Sequence, residues 1–182
     1  MTSPTPAAII LAAGGSTRMG EPKALLDLHG RPLIQAHIAA LTEFCDPVIV
    51  VTGAHREQIE AVLPEHVQQV HNKDWSTTQT KDSIALGLKA LPPEATVLIT
   101  PVDVPPAPGD VLEMLIEARH PAVPIDEEQR GHPVIVVARN ALKTLDAHPL
   151  HHHLRDAEEI EVDWPDCTVG FNTKAEWRAW RG

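Results

Sequence analysis

AIILAAGGSTRMGEPK, residues 8–23, is the stretch that decides how this chain of 182 residues folds. Its apolar first half, closed by a glycine pair, predicts a buried β-strand that runs directly into a tight loop. Because glycine has no Cβ, Gly14 and Gly15 let backbone N–H groups come close to a ligand. Arg18 and Lys23 follow, and they are the only Lys or Arg among the first 30 residues. Bare amides followed by two spaced cations suit a triphosphate, although an ordinary strand-to-helix turn with two solvated charges shares part of this pattern.

The composition predicts one globular domain over residues 1–182 and excludes a nucleic-acid partner. Hydrophobic residues make up 43% of the chain, but aromatic residues only 3%. The core must therefore consist of Ala, Val, Ile and Leu, which suits helices packed on a parallel sheet. The net charge of -10 leaves no basic face that could displace counterions from nucleic-acid phosphates.

The cysteines and the N-terminus predict a cytoplasmic protein without a membrane partner. Cys45 and Cys167 are not in a metal-type spacing, so we expect free thiols in a reducing compartment, buried as small hydrophobic residues. Residues 1–6 carry no positive side chain, and the apolar stretch that follows is too short for a signal peptide or a membrane span.

Apolar runs of strand length alternate with helical patterns, which predicts a doubly wound, mostly parallel α/β sheet. The predicted strands are 7–11, 48–52, 67–70, 97–100 and 134–138, and the predicted helices are 33–41, 56–63, 83–91 and 110–119. Short strands at 160–162 and 167–170 and a terminal helix at 173–180, capped by Asn172 or Thr173, complete the prediction. Because such sheets bind ligands at the carboxyl ends of their strands, we expect the glycine loop and Asp103 to converge.

Asp103 is the metal ligand that the residues themselves suggest. It follows the predicted strand 97–100 and lies among prolines that restrict its loop. Magnesium prefers oxygen ligands and commonly bridges one or two carboxylates to substrate phosphates. A lone loop aspartate also serves as a turn former or a helix cap, and that alternative stays open on this evidence.

Residues 11–23 match the signature L-A-A-G-x-S/G-x-R-M-G-x-x-K at every defining position. The chain thereby resembles nucleotidyltransferases with a Rossmann-like core. Further matches at 25–26, 30–33, 102–105 and 131–134 make it most similar to the branch of molybdenum cofactor cytidylyltransferases and guanylyltransferases. The resemblance implies a three-layer, Rossmann-like, mostly parallel sheet of the nucleotide-diphospho-sugar transferase type.

The resemblance also implies which residues carry the chemistry. Arg18, Lys23 and Asp103 would be catalytic. The nucleotide-binding residues would be Leu11, Ala12, Ala13, Gly14, Gly15, Lys23, Asn72 and Ser83.

A Mg²⁺ cofactor follows from the same resemblance, with Asp103 and Asn172 as its ligands. The C-terminal motif of the family is present at Asn172, Thr173 and Glu176, but Gly170 stands where the first acidic residue is usual. Asn172 would offer a neutral carbonyl oxygen, and such a ligand holds metal less tightly than a carboxylate would. As a residue taken alone, Asn172 is equally a helix N-cap.

Two further residues would belong to the acceptor pocket, Trp75 and His132. The stretch from Asn72 to Trp75, leading to Ser83, resembles the family's segment around the base, but Thr78 replaces a usual glycine and the stretch from Trp75 to Ile84 is one residue longer. His132 lies in the family's G-H-P-V motif, although a histidine of this kind is more often a structural hydrogen-bonding residue. The run 151–153 of three histidines predicts a solvated helix, because adjacent side chains point in different directions and seldom converge on one metal ion.

The reaction implied is the transfer of a nucleotidyl group from CTP or GTP to a phosphate monoester, with release of pyrophosphate. The acceptor would be of the molybdopterin type, and the product would pass to a molybdoenzyme or its chaperone. A phosphate monoester is mostly dianionic at neutral pH, which explains why the sequence shows no general base. Two alternatives stay open: a nucleotidyltransferase acting on a sugar phosphate or another small phosphate, and a nucleotide-binding accessory protein without turnover.

Overall fold

The computed structural model describes residues 5–181, apart from the side chain of residue 181, and consists of a central sheet covered by helices on both faces. The strands are β1 (Ala7–Ala12), β2 (Asp27–Leu28), β3 (Arg31–Pro32), β4 (Val48–Thr52), β5 (Gln68–His71), β6 (Thr96–Pro101), β7 (Ala122–Asp126), β8 (Gln129–Arg130), β9 (Val134–Val137) and β10 (Glu158–Glu161). The α-helices are α1 (Leu33–Thr42), α2 (Arg56–Glu60), α3 (Thr80–Lys89), α4 (Gly109–Glu117), α5 (Ala138–Leu145), α6 (Leu150–His153) and α7 (Lys174–Arg181).

The sheet is mostly parallel, with β1 near its centre. Its order is β10-β7-β9-β6-β1-β4-β5, and β8 pairs with β7. Strands β4, β1 and β6 run parallel in register, so that Ile10 lies beside Val50 on one side and Thr100 on the other. Strand β9 is antiparallel to both of its neighbours, β6 and β7. The parallel half therefore places the ends of β1, β4 and β6 at one edge, where ligands bind in such sheets.

Side chains that alternate along β1 enter two separate cores, which makes the architecture three-layered. Ala8 and Ile10 pack with buried residues of α1, α2 and α4. Ala7 and Ile9 pack on the opposite face with buried residues of α3 and α5. Successive strand residues point to opposite faces, so an apolar run that is buried throughout indicates a strand covered on both sides.

A third, smaller core joins the beginning of the chain to its end. Met19, from the loop after β1, packs with Leu33 of α1 and with Phe171 and Trp177 of the C-terminal segment. The rings of Phe171 and Trp177 meet edge to face, with centroids 4.9 Å apart. This core fixes the loop after β1 against the segment that leads into α7.

Most of the predicted elements are present. The short strands β2 and β3 were not predicted, and the other differences lie mainly in the last third of the chain, where helix α5 was not predicted either. The predicted strand at 167–170 is wrong: Pro165–Thr168 form a 3-10 helix, in which the Cys167 N–H donates to the carbonyl of Trp164 at 3.0 Å. Strand β7 was not predicted, since its sequence AVPID contains a proline that reads as part of a connection. The three histidines end the short helix α6 as predicted, but the helix is only partly solvated, since His151 is exposed and His152 and His153 are half-buried. Cys45 and Cys167 are free and buried.

Candidate active site

A cavity of about 380 Å³ opens at the carboxyl ends of β1, β4 and β6, where the sheet topology predicts a ligand. Its walls come from the loops after these three strands and from the segment that leads into α3. The predicted site residues that line the cavity are Leu11, Ala12, Ala13, Gly14, Gly15, Lys23, Trp75, Ser83 and Asp103. A volume of this size lies in the range usual for small-molecule sites.

The loop after β1 folds back on itself and directs Lys23 into the cavity. Ser16 adopts a positive φ of 49°, and its carbonyl accepts hydrogen bonds from the N–H groups of Met19 and Gly20 at 3.0 and 3.1 Å. The Ser16 hydroxyl oxygen accepts a further bond from the Lys23 N–H at 3.2 Å. Because Met19 is buried in the third core, the middle of the loop is fixed as well.

Lys23 meets two oxygen atoms from distant parts of the chain. Its Nζ lies 2.6 Å from Oδ2 of Asp103 and 3.1 Å from Oδ1 of Asn172. Neither Arg18 nor Asn172 lines the cavity, but Nη2 of Arg18 donates to the same Asn172 oxygen at 3.1 Å. The four residues that the sequence analysis assigned to catalysis and metal binding thus form one connected network.

The C-terminal segment is bound directly to the loop that carries Asp103. The Phe171 N–H donates to the Asp103 carbonyl at 2.7 Å, which places Asn172 beside the Asp103 side chain. The Glu176 carboxylate accepts from the N–H groups of Asn172 and Thr173, while the Thr173 hydroxyl accepts from the Glu176 N–H. Thr173, one of the two caps predicted, thus caps α7 immediately before its first residue, Lys174. The bonds from Asn172 and Thr173 hold the pKa of the Glu176 carboxyl below its usual range.

Two histidines lie beneath Asp103. His37 is 2% exposed, and its Nε2 lies 3.0 Å from the carbonyl of Val104. Burial lowers the pKa of His37 to about 4, so the imidazole is neutral at pH 7 and donates from Nε2. His132, predicted in the acceptor pocket, does not line the cavity. Burial lowers its pKa too, opposed by the charge of Asp103, and its backbone N–H donates to the carbonyl of Cys167 at 2.9 Å.

The opposite wall of the cavity is built from neutral groups. Asn72, predicted to bind nucleotide, is only 3% exposed and lies behind the wall. Its Nδ2 donates to the hydroxyls of Thr78 and Ser83 at 2.9 and 3.0 Å. The Thr78 hydroxyl in turn donates to the carbonyl of Asp74 at 2.9 Å. Ser83 accepts from Asn72 and lines the cavity.

Trp75 closes the cavity next to the glycine loop. A Cβ on Gly15 would lie 3.1 Å from the Trp75 ring, and a Cβ on Gly53 would collide with the carbonyl oxygen of Ala13. Glycine at position 15 therefore lets the loop after β1 approach the indole, and glycine at position 53 lets the end of β4 approach the backbone of Ala13. Trp75 remains 38% exposed, so one part of its ring is available to a ligand.

His55 is a cavity residue that the sequence analysis missed. It follows β4, and its Nε2 lies 3.1 Å from the carbonyl oxygen of Gly15. The sequence did contain a signal for it: a polar residue shortly after a buried strand, at the carboxyl edge of a parallel sheet, faces the ligand site.

The oxygen donors of Asp103 and Asn172 fit a hard divalent cation. A carboxylate and an amide carbonyl are ligands that Mg²⁺ accepts, and both oxygens already converge on a positive charge, the ammonium group of Lys23. Within residues 5–181, no three His, Cys, Asp or Glu side chains form a group that could hold a metal ion. A metal here would consequently need further ligands from substrate phosphates or water.

Comparison with known proteins identifies the family. Residues 8–161 match the MobA-like NTP transferase domain. The chain belongs to this family. The match includes the glycine loop, Lys23, the neutral wall and Asp103, and it ends before the segment that carries Asn172.

Curated relatives include two differently named proteins. The bifunctional protein GlmU of Cutibacterium acnes is 35% identical over 116 residues, which are 61% of this chain and 28% of that protein. The 2-C-methyl-D-erythritol 4-phosphate cytidylyltransferase of Deinococcus radiodurans is 31% identical over 118 residues, 64% of this chain and 47% of that protein. The chain spans less than half the length of these relatives.

Solved structures agree with the family in fold. Rv0371c of Mycobacterium tuberculosis superposes with a TM-score of 0.82 at 22% identity, covering 98% of this chain and 99% of that one. A nucleotidyl transferase from Methanothermobacter superposes with a TM-score of 0.81 at 23% identity, covering 98% and 97%. A further structure of Rv0371c, with a TM-score of 0.76 at 22% identity and coverage of 95% and 96%, is a complex with manganese. The predicted three-layer α/β fold of the nucleotide-diphospho-sugar transferase type is confirmed.

Among the described residues, no helix has the length and apolar character needed to cross a membrane.

Proposed function

We propose that the protein transfers a nucleotidyl group from CTP or GTP to a phosphate monoester, with release of pyrophosphate. One observation carries this proposal: Lys23, from the loop after β1, and Asp103, from the loop after β6, meet at 2.6 Å in the cavity. Next to a glycine loop, the cation can bind the phosphates of a nucleotide, and the carboxylate can bind the metal ion that accompanies them.

The chain's own residues position the reactants and neutralise charge. The attacking phosphate oxygen is already ionised at neutral pH, so no side chain has to remove a proton. Lys23 and Arg18 bind the phosphates that leave as pyrophosphate, and the backbone around Gly14 and Gly15 holds the rest of the nucleotide. Ser83 donates its hydroxyl proton to the base or the ribose. Preorganised charges of this kind lower the barrier because they need no reorganisation during the reaction.

Asp103 and Asn172 are the residues that would hold Mg²⁺ once the phosphates draw Lys23 and Arg18 away. The ion would supply positive charge to the phosphate oxygens, which is its usual contribution to phosphoryl chemistry. The manganese complex of Rv0371c supports a divalent metal on this fold.

For the acceptor we propose a molybdopterin-type phosphate, supported by the Gly131–Val134 motif and the MobA-like family. The 2-C-methyl-D-erythritol 4-phosphate cytidylyltransferase among the relatives favours the second candidate, a sugar phosphate or another small phosphate. The connected network of Arg18, Lys23, Asp103 and Asn172 argues against an accessory protein without turnover. A molybdoenzyme or its chaperone would receive the product, in the cytoplasm, where the two free thiols would stay reduced.

Pyrophosphate release tests the proposal. CTP, GTP, ATP and UTP, each with Mg²⁺, would be offered together with molybdopterin, a sugar 1-phosphate or methylerythritol 4-phosphate. We expect CTP or GTP to support release with one acceptor, and release with molybdopterin would establish the first candidate. No release with any combination, from a folded protein, would contradict the proposed activity.

A further inference from the structure

Two oxygen atoms suited to a metal, one from Asp103 and one from Asn172, are already engaged by the protein's own cations. Oδ1 of Asn172 accepts from Nη2 of Arg18 and from Nζ of Lys23, both at 3.1 Å. An amide carbonyl oxygen has two lone pairs, and these two donors use both. Oδ2 of Asp103 holds the same Lys23 ammonium group at 2.6 Å.

Lys23 is the member of this network that a metal ion would have to replace. Its Nζ touches both proposed ligand oxygens, and its side chain is 14% exposed, against 31% for Asp103. An ammonium group and a divalent cation a few Å apart repel each other, and a partly buried position screens this repulsion poorly. The two cations therefore compete for Oδ2 of Asp103 and Oδ1 of Asn172, and each weakens the binding of the other.

We infer that Lys23 is the resident cation of the metal site in the nucleotide-free protein, so that metal enters only together with, or after, the nucleotide. This inference rests on the proposed function for the exchange itself. Triphosphate oxygens offer Lys23 and Arg18 a stronger counter-charge than the Asn172 amide does, so both side chains move to the phosphates. That movement frees the Asp103 and Asn172 oxygens at the moment when the metal arrives with the phosphates as additional ligands.

This arrangement has a physical advantage for a chain with a net charge of -10. An unpaired Asp103 would attract free divalent ions and would raise the energy of the empty site. With Lys23 in place, the carboxylate is compensated before substrate arrives, and the same ammonium group is then available to the phosphates. Lys23 thereby neutralises Asp103 before the nucleotide binds and binds the phosphates afterwards.

Manganese binding without nucleotide tests the inference on the full chain. Free Mn²⁺ would be followed by its paramagnetic resonance signal during titration of wild type, Lys23→Met and Lys23→Gln. Methionine removes the charge at similar length, and glutamine also keeps a hydrogen-bond donor toward Asp103. Lys174→Met is the matched control, because Lys174 has the same charge and pairs with Glu21 at 3.1 Å on the neighbouring surface, outside the network.

We expect wild type and Lys174→Met to bind Mn²⁺ weakly and alike, and both Lys23 variants to bind it at least roughly tenfold more tightly, since one nearby positive charge has been removed. Circular dichroism at the titration temperature establishes that each variant is folded. If Lys23→Met disturbs the loop, Lys23→Gln still tests the inference. Equal Mn²⁺ affinity in wild type and a folded Lys23 variant, or an equal gain in Lys174→Met, would overturn the inference. Absence of pyrophosphate release from wild type would instead contradict the proposed function and leave the Mn²⁺ comparison to decide the role of Lys23.

Discussion

The two walls of the cavity differ in charge and in where their partners come from. The charged wall joins Lys23 to Asp103 and Asn172, which are 80 and 149 positions further along the chain. The neutral wall joins Asn72 to Thr78 and Ser83, which are 6 and 11 positions away. One wall is thus an assembly of three distant segments, and the other is a local structure around the start of α3.

This difference indicates a division of work between the walls. Fixed charges act most strongly on a group whose charge changes during reaction, which for nucleotidyl transfer is the chain of phosphates. Hydroxyl and amide groups instead distinguish hydrogen-bonding patterns, such as those of a base. Substitutions in the charged wall should therefore lower kcat, and substitutions in the neutral wall should mainly change KM or the choice of nucleotide.

Asp103→Asn should lower turnover more than any other substitution considered. A small effect would contradict the proposed difference between the two walls. The substitution removes the only carboxylate assigned to the metal, so we expect turnover to fall by roughly three orders of magnitude, at the upper end of what one preorganised group contributes. The melting temperature without metal should be close to that of wild type. The measurement is the rate of pyrophosphate release across a Mg²⁺ titration, and equal rates in both proteins would remove Asp103 from the site.

Lys23→Ala should lower kcat by roughly 10²-fold or more, because a transferring phosphate loses a preorganised positive charge. Its effect on stability should be small by comparison, since substitutions in a polar loop usually change the free energy of unfolding by about 0.5 kcal/mol. Kinetics and thermal melts of Lys23→Ala beside Lys174→Ala separate the two quantities. Unchanged kcat and unchanged nucleotide KM would show that this loop does not bind phosphate.

The acid stability of the protein should depend on His37, which supports the charged wall from below through Val104. Its folded pKa of about 4 lies below its unfolded value of 6.5, so the unfolded chain binds the extra proton between these values. Stability is therefore complete above pH 6.5 and falls as pH decreases toward 4, by an amount on the order of 3 kcal/mol.

His37→Gln retains a donor for the Val104 carbonyl but cannot titrate. Denaturant unfolding between pH 7 and 4 should show a smaller loss of stability in this variant than in wild type. His66→Gln, at an exposed histidine, is the control and should follow wild type. Identical pH profiles for wild type and His37→Gln would mean that His37 is not held neutral by burial.

Ser83→Ala should have the smallest effect on turnover, and it tests the role of the neutral wall. The loss of one hydroxyl donor should raise the nucleotide KM by about tenfold at most, in line with one neutral hydrogen bond, and should leave kcat within about twofold. Steady-state kinetics with CTP and GTP measure both parameters. A fall in kcat as large as that of Lys23→Ala would contradict the division between the walls.

The sequence predicted the sheet and the local parts of the site because their signals lie within a few residues. Strands β1, β4 and β6 are apolar runs that are buried on both faces, and the glycine loop follows β1 directly. The carboxyl-edge rule for parallel sheets then predicted that this loop and Asp103 would converge, and they do.

The remaining features could not be predicted because they depend on contacts between distant segments. The hydrogen bond from Arg18 to Asn172 spans 154 positions, and it depends on the packing of Met19 against Phe171. The sequence around Asn72 is the same whether its side chain contacts a ligand or supports the wall. Only the fold shows that Asn72 is buried. The error at 167–170 has a local cause, since an apolar stretch after Pro165 can form a strand or a tight helical turn.

Nucleotide-dependent thermal stability tests the central claim most directly, because it asks whether the cavity between the two walls binds a nucleoside triphosphate. Wild type and Asp103→Asn would be melted with CTP, GTP, ATP or UTP, each with Mg²⁺. A ligand at 100 times its Kd stabilises by ~2.7 kcal/mol, which corresponds to a rise in Tm of roughly 5–10 °C for a chain of this size. The account predicts such a rise for CTP or GTP with wild type and a much smaller one with Asp103→Asn, whereas a wild type whose Tm responds to none of the four nucleotides would contradict it.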